Sequence, residues 1–392
     1  MKNLKLGIFG FGCVGQGLHH VLQQSDSVNS EIVKICIKDL KKSRPLDASY
    51  FTDNKDELLQ NEEIDVIVEL IDDADAALEI VTAAMNAGKS VVSANKKMIA
   101  EHLETLLELQ SKNKVSFLYE AACCASIPII RNLEEYYDND LLTSVEGIFN
   151  GSTNFILTKL LADGLPFAQV LKEAQDLGFA ESDPRLDVEG IDAKYKLCIL
   201  LFHAFGLITK PDDIFNYGIS KINEFDIDYA QKHGYTIKLI AKCRRVNDAI
   251  EAYCIPTFVP TGSVLSQTSN EYNAVILESA FSESQLLYGK GAGDKPTGSA
   301  VLSDISALNY DYKYEYKKQH KNDGKFGLSE DFNLKLFVRY NGVSPILEDF
   351  DSIEEKYSSD RGNFLVGHIK LHELKKSEWL EDDTINAILL ND

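Results

Sequence analysis

Asp192 and Lys196 stand four residues apart, on one face of any helix that carries them. An ammonium group placed there can give a proton to a carbonyl oxygen or, once neutral, take one from an alcohol. It does so near pH 7 only if burial or a neighbouring cation lowers its pKa. Spacing alone favours a plainer reading, a surface ion pair worth about 0.3–0.5 kcal/mol. Lys96 is a second lysine of this kind, and by itself it reads as a surface lysine at a helix start. Asn150 to Asn154 reads by itself as a turn and helix cap, because Ser, Thr and Asn are natural N-cap residues. Gly10-Phe11-Gly12-Cys13-Val14-Gly15 is a GxGxxG motif that follows a strand pattern and opens a helix pattern. The first glycine allows a tight turn, the second lets the backbone approach a pyrophosphate, and the third lets helix pack on strand. The helix N-terminus then offers free N–H groups to phosphate.

The elements that must position these groups alternate strand and helix over the first 120 residues. Residues 4–9, 31–37, 64–70, 89–92 and 115–120 read as strands. Residues 14–24, 74–87 and 96–111 read as helices. The unbroken apolar run at 64–70 suits a parallel sheet covered on both faces. The expected fold class is α/β: a Rossmann-type doubly wound parallel sheet, an α+β substrate and dimerisation domain, and a small C-terminal segment. Residues 1–135, completed by about 290–312, form the dinucleotide domain. Residues 136–312 form the substrate domain, with helices near 154–162, 167–177 and 188–204 and strands at 235–244, 250–259 and 274–280. The polar stretch from 312 reads as a linker, and 313–392 as that linker plus a small terminal segment with strands near 332–339 and 364–371. That segment reads as a structural cap or oligomer element; a degenerate regulatory domain is the alternative.

Forty Lys and Arg against 61 Asp and Glu leave a net charge of −21, which argues against nucleic acid or an anionic membrane as partner. Seven scattered cysteines without a CxxC fit reduced thiols in the cytoplasm. No run of 18 apolar residues suggests a membrane span.

Five stretches lie in order behind the glycine motif. They are Val91-Val92-Ser93-Ala94-Asn95-Lys96, Gly147-Ile148-Phe149-Asn150-Gly151-Ser152-Thr153-Asn154, Gly178-Phe179-Ala180-Glu181-Ser182-Asp183-Pro184, Asp187-Val188-Glu189-Gly190-Ile191-Asp192 with Lys196, and Gly289-Lys290-Gly291-Ala292-Gly293 with Pro296-Thr297. Together they resemble monofunctional, bacterial-type homoserine dehydrogenase over roughly residues 4–310. The resemblance implies NAD(P)-dependent interconversion of L-aspartate 4-semialdehyde and L-homoserine in amino-acid biosynthesis. It makes Lys196 the proton donor and acceptor, assisted by Lys96 and Asp192. It places homoserine against Glu181, Asp192, Asp187, Asn150, Gly151 and Thr153. Cofactor contacts fall on Gly10, Phe11, Gly12, Cys13, Val14, Gly15, Lys38, Ser93, Lys96, Gly178 and Gly291. A structural sodium ion is implied at Glu120, Cys123, Ala125 and Ile127, through one side chain and several backbone carbonyls. A homodimer or homotetramer is implied as well. Lys38, Lys41, Lys42 and Arg44 around a single Asp39 tilt the cofactor to NADP over NAD.

Three positions depart from the family pattern. Asp72-Asp73 stands where the family has Gly-Gly facing the dinucleotide, and carboxylates pointing inward there would repel pyrophosphate. This motivates the alternative of a non-catalytic nucleotide-binding regulator. Cys123-Cys124-Ala125-Ser126 replaces a glycine-rich turn, and Phe179 replaces a tyrosine. A thioester-forming enzyme acting through Cys123 or Cys124 is a further alternative, but it needs an activated thiolate, and no histidine lies near in sequence.

Overall fold

A computed structural model describes residues 3–390 apart from residues 26, 140, 181–182, 323 and 342–346. The chain forms two compact units that interleave in sequence. The first is Met1–Asp140 with Cys198–Pro211 and Gly289–Lys321; the second is Leu141–Leu197 with Asp212–Tyr288 and Asn322–Asp392.

The first unit is built on six strands: β1 (Leu4–Phe9), β2 (Ser30–Cys36), β3 (Phe51–Thr52), β4 (Val66–Glu69), β5 (Ser90–Ser93) and β6 (Phe117–Leu118). They pair in parallel in the order β3-β2-β1-β4-β5-β6. The chain winds outward from β1 to β3 and then restarts on the other side at β4. The switch point between β1 and β4 is where such sheets bind ligands, at the carboxyl ends of the strands. Val66, Ile67 and Val68 are buried on both faces, as a parallel sheet requires. Two helices of this unit, Cys13–Gln23 and Asp294–Leu308, meet backbone to backbone. A Cβ at Gly17 would run into the main chain of Asp294, and one at Gly298 would come within 2.5 Å of the Leu18 nitrogen.

The second unit holds a mixed sheet. Its strands are β7 (Leu142–Ile148), β8 (Phe215–Asn216), β9 (Tyr235–Val246), β10 (Ala249–Pro260), β11 (Tyr272–Ser279), β12 (Glu283–Lys290), β13 (Gly327–Ser329), β14 (Asn333–Tyr340), β15 (Ser352–Ser359), β16 (Gly362–Lys370) and β17 (Asn386–Leu390). The order is β12-β11-β7-β9-β10-β17-β14-β16-β15, with β8 and β13 also against β10. Helices Gly151–Asp163, Phe167–Asp176 and Glu224–Lys232 belong to the same unit.

Two expectations change. The stretch from 312 is not a linker: Tyr314 and Tyr316 are buried, and Lys318 donates to the carbonyls of Leu133 (2.6 Å) and His203 (2.7 Å). Its tyrosines recur every second residue between charged ones, so average polarity hides a strip that packs. Nor is the terminal segment a separate body. β17 runs parallel to β10 and antiparallel to β14, so strands β13 to β17 extend the sheet of the second unit. Their core, with Leu336, Leu365, Ile369 and Trp379, also includes Tyr253 and Ile255 of β10.

Candidate active site

The candidate residues fall into two groups, one on each unit. In the first unit, β1 runs into the glycine turn and the helix Cys13–Gln23. Gly10 has φ of +94°, and a Cβ there would lie 2.6 Å from the Leu70 carbonyl oxygen. A Cβ at Gly15 would lie 2.6 Å from the Gly10 oxygen, which explains the close seat of helix on strand. At Gly12 a Cβ meets no heavy atom within 4 Å. No side chain caps the helix that starts after Gly12, so its first N–H groups face outward. An open cradle of this kind fits a pyrophosphate. Phe11 contributes backbone only, since its ring packs on Phe51 at 5.4 Å.

Past the end of β2, Lys38 and Asp39 are exposed. The Asp39 carboxylate accepts from the Lys41 amide at 2.8 Å, and Arg44 donates to the carbonyls of Asp39 and Lys42. The acid is thus occupied in shaping its own turn, while Lys38, Lys41 and Lys42 remain exposed around it. Asp73 proves to be an N-cap, its carboxylate accepting from the Ala76 amide at 3.0 Å at the head of helix Ala74–Asn86. That places one of the two departing acids on a helix end that attracts negative charge.

At the carboxyl ends of β4 and β5, Glu69 pairs in register with Ser93. Both are fully buried. Ser93 donates to Glu69 Oε2 at 2.6 Å and accepts from the Asn95 amide at 3.1 Å. Asn95 caps helix Lys96–Asn113, so half-buried Lys96 is its first residue. Sequence reading listed Ser93 and Lys96 but missed Glu69. The signal was there: an acid closing an otherwise apolar strand.

The turn after β6 carries the expected sodium residues. Glu120 Oε1 accepts from the Ile130 amide (2.8 Å) and Oε2 from the Arg131 amide (2.9 Å). Burial, with Asp304 nearby, pushes the carboxyl up to about 8. The two amides take one acceptor position on each Glu120 oxygen and fix the carboxyl group in this turn. Cys124 (φ 53°) and Ala125 (φ 40°) adopt the left-handed turn without glycine. Cys123 and Cys124 are both wholly buried, which speaks against either as an enzymatic nucleophile.

In the second unit, β7 leads through Phe149 and Asn150 into helix Gly151–Asp163. The Asn150 side chain works in both directions. Its oxygen accepts from the Thr153 amide (2.8 Å), and its nitrogen donates to Asp187 Oδ1 (2.7 Å) and Asp192 Oδ2 (2.8 Å). Lys196 donates to the same Asp192 oxygen and to the Phe149 carbonyl, each at 2.7 Å. Asp192 is 4% exposed and Lys196 7%, so the surface ion pair is excluded. The structure brings Asn150, Asp187, Asp192 and Lys196 together. Gly151 and Thr153 have packing roles: a Cβ at Gly151 would lie 2.6 Å from the Glu271 oxygen, and the Thr153 hydroxyl donates to the Asn150 carbonyl. Ser152 donates to the Phe179 carbonyl, and the Phe179 ring packs on Phe155 at 4.6 Å, a contact that needs no phenol hydroxyl. Gly178 has φ of +78° in the turn after helix Phe167–Asp176. Glu181 lies outside the described residues. Sequence reading also missed Lys238, buried on β9, which donates to Asn154 Oδ1 (2.9 Å) and the Thr268 carbonyl (2.6 Å). Burial pushes its ammonium down to about 8.

Among the described residues no helix is long and apolar enough to cross a membrane, and no cluster of three His, Cys, Asp or Glu could hold a metal.

Comparison with known proteins gives a consistent result. The family profile described as homoserine dehydrogenase matches residues 128–306, and the one described as homoserine dehydrogenase, NAD binding domain, matches residues 10–120. A homoserine dehydrogenase of Lactococcus lactis is 39% identical over 387 residues, 96% of this chain and 87% of that protein. One of Bacillus subtilis is 37% identical over 317 residues, 79% of this chain and 73% of that protein. The crystal structure of a homoserine dehydrogenase from Thiobacillus denitrificans superposes with a TM-score of 0.85 at 29% identity, over 100% of this chain and 99% of the other.

Proposed function

The chain belongs to the homoserine dehydrogenase family, and on that footing we propose that Lys196 exchanges the proton with the substrate hydroxyl while Asp192 holds its ammonium. The enzyme is an oxidoreductase acting on a CH–OH group, interconverting L-homoserine and L-aspartate 4-semialdehyde with a nicotinamide cofactor. When bound, the nicotinamide accepts or returns the hydride. The residues named below manage the remaining charges and the proton.

The observation that carries the reading is the buried cluster Asn150, Asp187, Asp192 and Lys196. In the reductive direction the Lys196 ammonium gives its proton to the aldehyde oxygen as hydride reaches the carbon. In the oxidative direction the neutral amine takes the hydroxyl proton. Phe149 and Asp192 fix the nitrogen in place, so little reorganisation is needed at the moment of transfer. Asp187, Asp192 and Glu181 supply negative charge for the substrate ammonium. Lys96 supplies a second cation on the cofactor side. Asn150, Gly151 and Thr153 serve the substrate by shaping this cluster.

The dinucleotide is assigned to residues 1–135 completed by 290–312, and the substrate to 136–312. Gly10 to Gly15 take the pyrophosphate, Ser93 and Lys96 serve the nicotinamide side, and Gly178 and Gly291 complete the cofactor contacts. NADP is favoured over NAD because Lys38, Lys41 and Lys42 surround an Asp39 whose carboxylate already accepts from the Lys41 amide. A sodium ion at Glu120, Cys123, Ala125 and Ile127 would draw on the Glu120 carboxylate and several main-chain carbonyls. Homo-oligomerisation is supported by the edge strand β12, which exposes Leu286 and Tyr288 beside the exposed Phe281. A cytoplasmic setting is supported by the seven free cysteines.

The test is homoserine-dependent reduction of NAD and NADP in parallel, in wild type and Lys196→Ala. The proposal requires turnover in wild type with NADP ahead, and its loss in the variant. Equal turnover in both proteins would remove Lys196 from the chemistry.

A further inference from the structure

Four hydrogen bonds close a ring at the carboxyl edge of the parallel sheet. Ser93 Oγ donates to Glu69 Oε2 (2.6 Å). The Asn95 amide donates to Ser93 Oγ (3.1 Å). The Asn95 side-chain nitrogen donates to the Ile71 carbonyl (3.0 Å). The Ile71 amide donates back to Glu69 Oε1 (2.7 Å). The ring joins two turns that belong to different strands. One follows β4 and carries Asp72 and Asp73; the other follows β5 and presents Lys96. Each Glu69 oxygen accepts one bond, so the carboxylate serves both turns and nothing else on the ring can replace it.

We propose that Glu69 is the positioning residue for the nicotinamide side of this enzyme: by holding Ser93 and the Ile71 amide together it sets the turn from which Lys96 projects. The inference rests on the assignment of Ser93 and Lys96 to the cofactor made above. Glu69 is fully buried with both oxygens engaged in the ring, so it acts through its neighbours. A charge-free side chain of similar shape would fill the same volume, which means packing alone does not require an acid here. Burial, with Asp72 adding to it, pushes the carboxyl up to about 7 against the pull of Ser93 and Ile71. Keeping such a group at the edge where the cofactor binds costs stability, and a cost of this kind is retained where a site needs it.

Glutamine in place of Glu69 keeps the shape but offers one acceptor and one donor. It satisfies the Ile71 amide only by forcing the Ser93 hydroxyl to reverse. Steady-state kinetics on purified Glu69→Gln, Ser93→Ala and the double variant test the idea. The expected result is a rise of about five- to tenfold in KM for the nicotinamide cofactor in each single variant, with KM for homoserine within about twofold. The double variant should be no worse than the worse single one, because both break the same ring. A merely structural Glu69 would lower the thermal midpoint and the folded fraction while leaving both KM values unchanged, and that would overturn the proposal. Additive effects of the two substitutions would overturn it too. If Glu69→Gln does not fold, Glu69→Asp decides: its shorter stem cannot hold both turns, so it must show the same cofactor-specific rise, and unchanged KM values there would overturn the proposal. Lys96→Ala separates the two levels of inference: unchanged kinetics there would remove the cofactor assignment itself, whatever Glu69 does.

Discussion

Glu69 and Asp192 are both buried carboxylates, one in each unit, and they are held in opposite ways. Glu69 accepts from a serine hydroxyl and a backbone amide, both neutral. Asp192 accepts from an asparagine amide and from the Lys196 ammonium, on one oxygen. The unit that receives the cofactor therefore keeps its edge carboxylate among neutral donors. The unit to which we assign the proton transfer sets its carboxylate against an ammonium. The same contrast recurs deeper in each. Glu120 is capped by two amides and raised to about 8. Asp226 is locked by the Arg339 guanidinium at 3.0 Å, with Asn386 on its other oxygen. A carboxylate among neutral donors, or under a guanidinium that keeps its protons, is a fixed post, whereas the proposal makes Asp192 beside its ammonium half of a working pair.

The contrast can be broken at several points. Lys196→Ala removes the working half, and kcat should fall by about 10²–10⁴-fold with a smaller change in KM, read in steady-state homoserine oxidation. Gly12→Val strikes the cradle instead. Its side chain enters open space, so the thermal midpoint should hold while KM for the cofactor rises about tenfold or more. Asn150→Ala leaves Asp187 and Asp192 without their shared donor and the helix without its cap. Denaturant unfolding should show a loss of about 1–3 kcal/mol, and kcat/KM should drop as well. Lys38→Ala should lower kcat/KM with NADP by about two- to fivefold and leave the NAD value nearly unchanged. The smallest effect concerns pH. Between an unfolded value of about 4.3 and the folded value of about 8, the folded chain holds on Glu120 a proton that the unfolded chain has released. Stability from this group therefore falls as pH rises through that window. Thermal midpoints of wild type and Glu120→Gln, compared near pH 6 and near pH 8, should diverge by about a degree or two, with wild type the more pH-sensitive.

The cradle was legible because its determinants are contiguous: three glycines where a strand turns into a helix, Gly10 and Gly15 each required by a backbone neighbour and Gly12 left open. The pair Asp192 and Lys196 was legible only as a spacing. What made it a buried pair was Asn150, brought in from 42 positions away, and no local pattern records that. The ring at Glu69 joins residues 24 apart on neighbouring strands and depends on register. The stretch from 312 misled because alternation was hidden by charge, and the terminal strands misled because their partner is β10 rather than one another alone. In each case the missing information was which distant backbone a residue would meet.

β17 lies between β10 and β14 although six other strands intervene between β10 and β17 along the chain. During synthesis, the apolar stretch of β10 at Thr257 and Phe258 must wait for its β17 partner until residues 386–390 have left the ribosome. Contacts so distant in sequence also slow folding in vitro. The second unit is thus a late-maturing body whose sheet closes only with its last strand, while the six-stranded sheet of the other unit has all its strands from residue 118 onward.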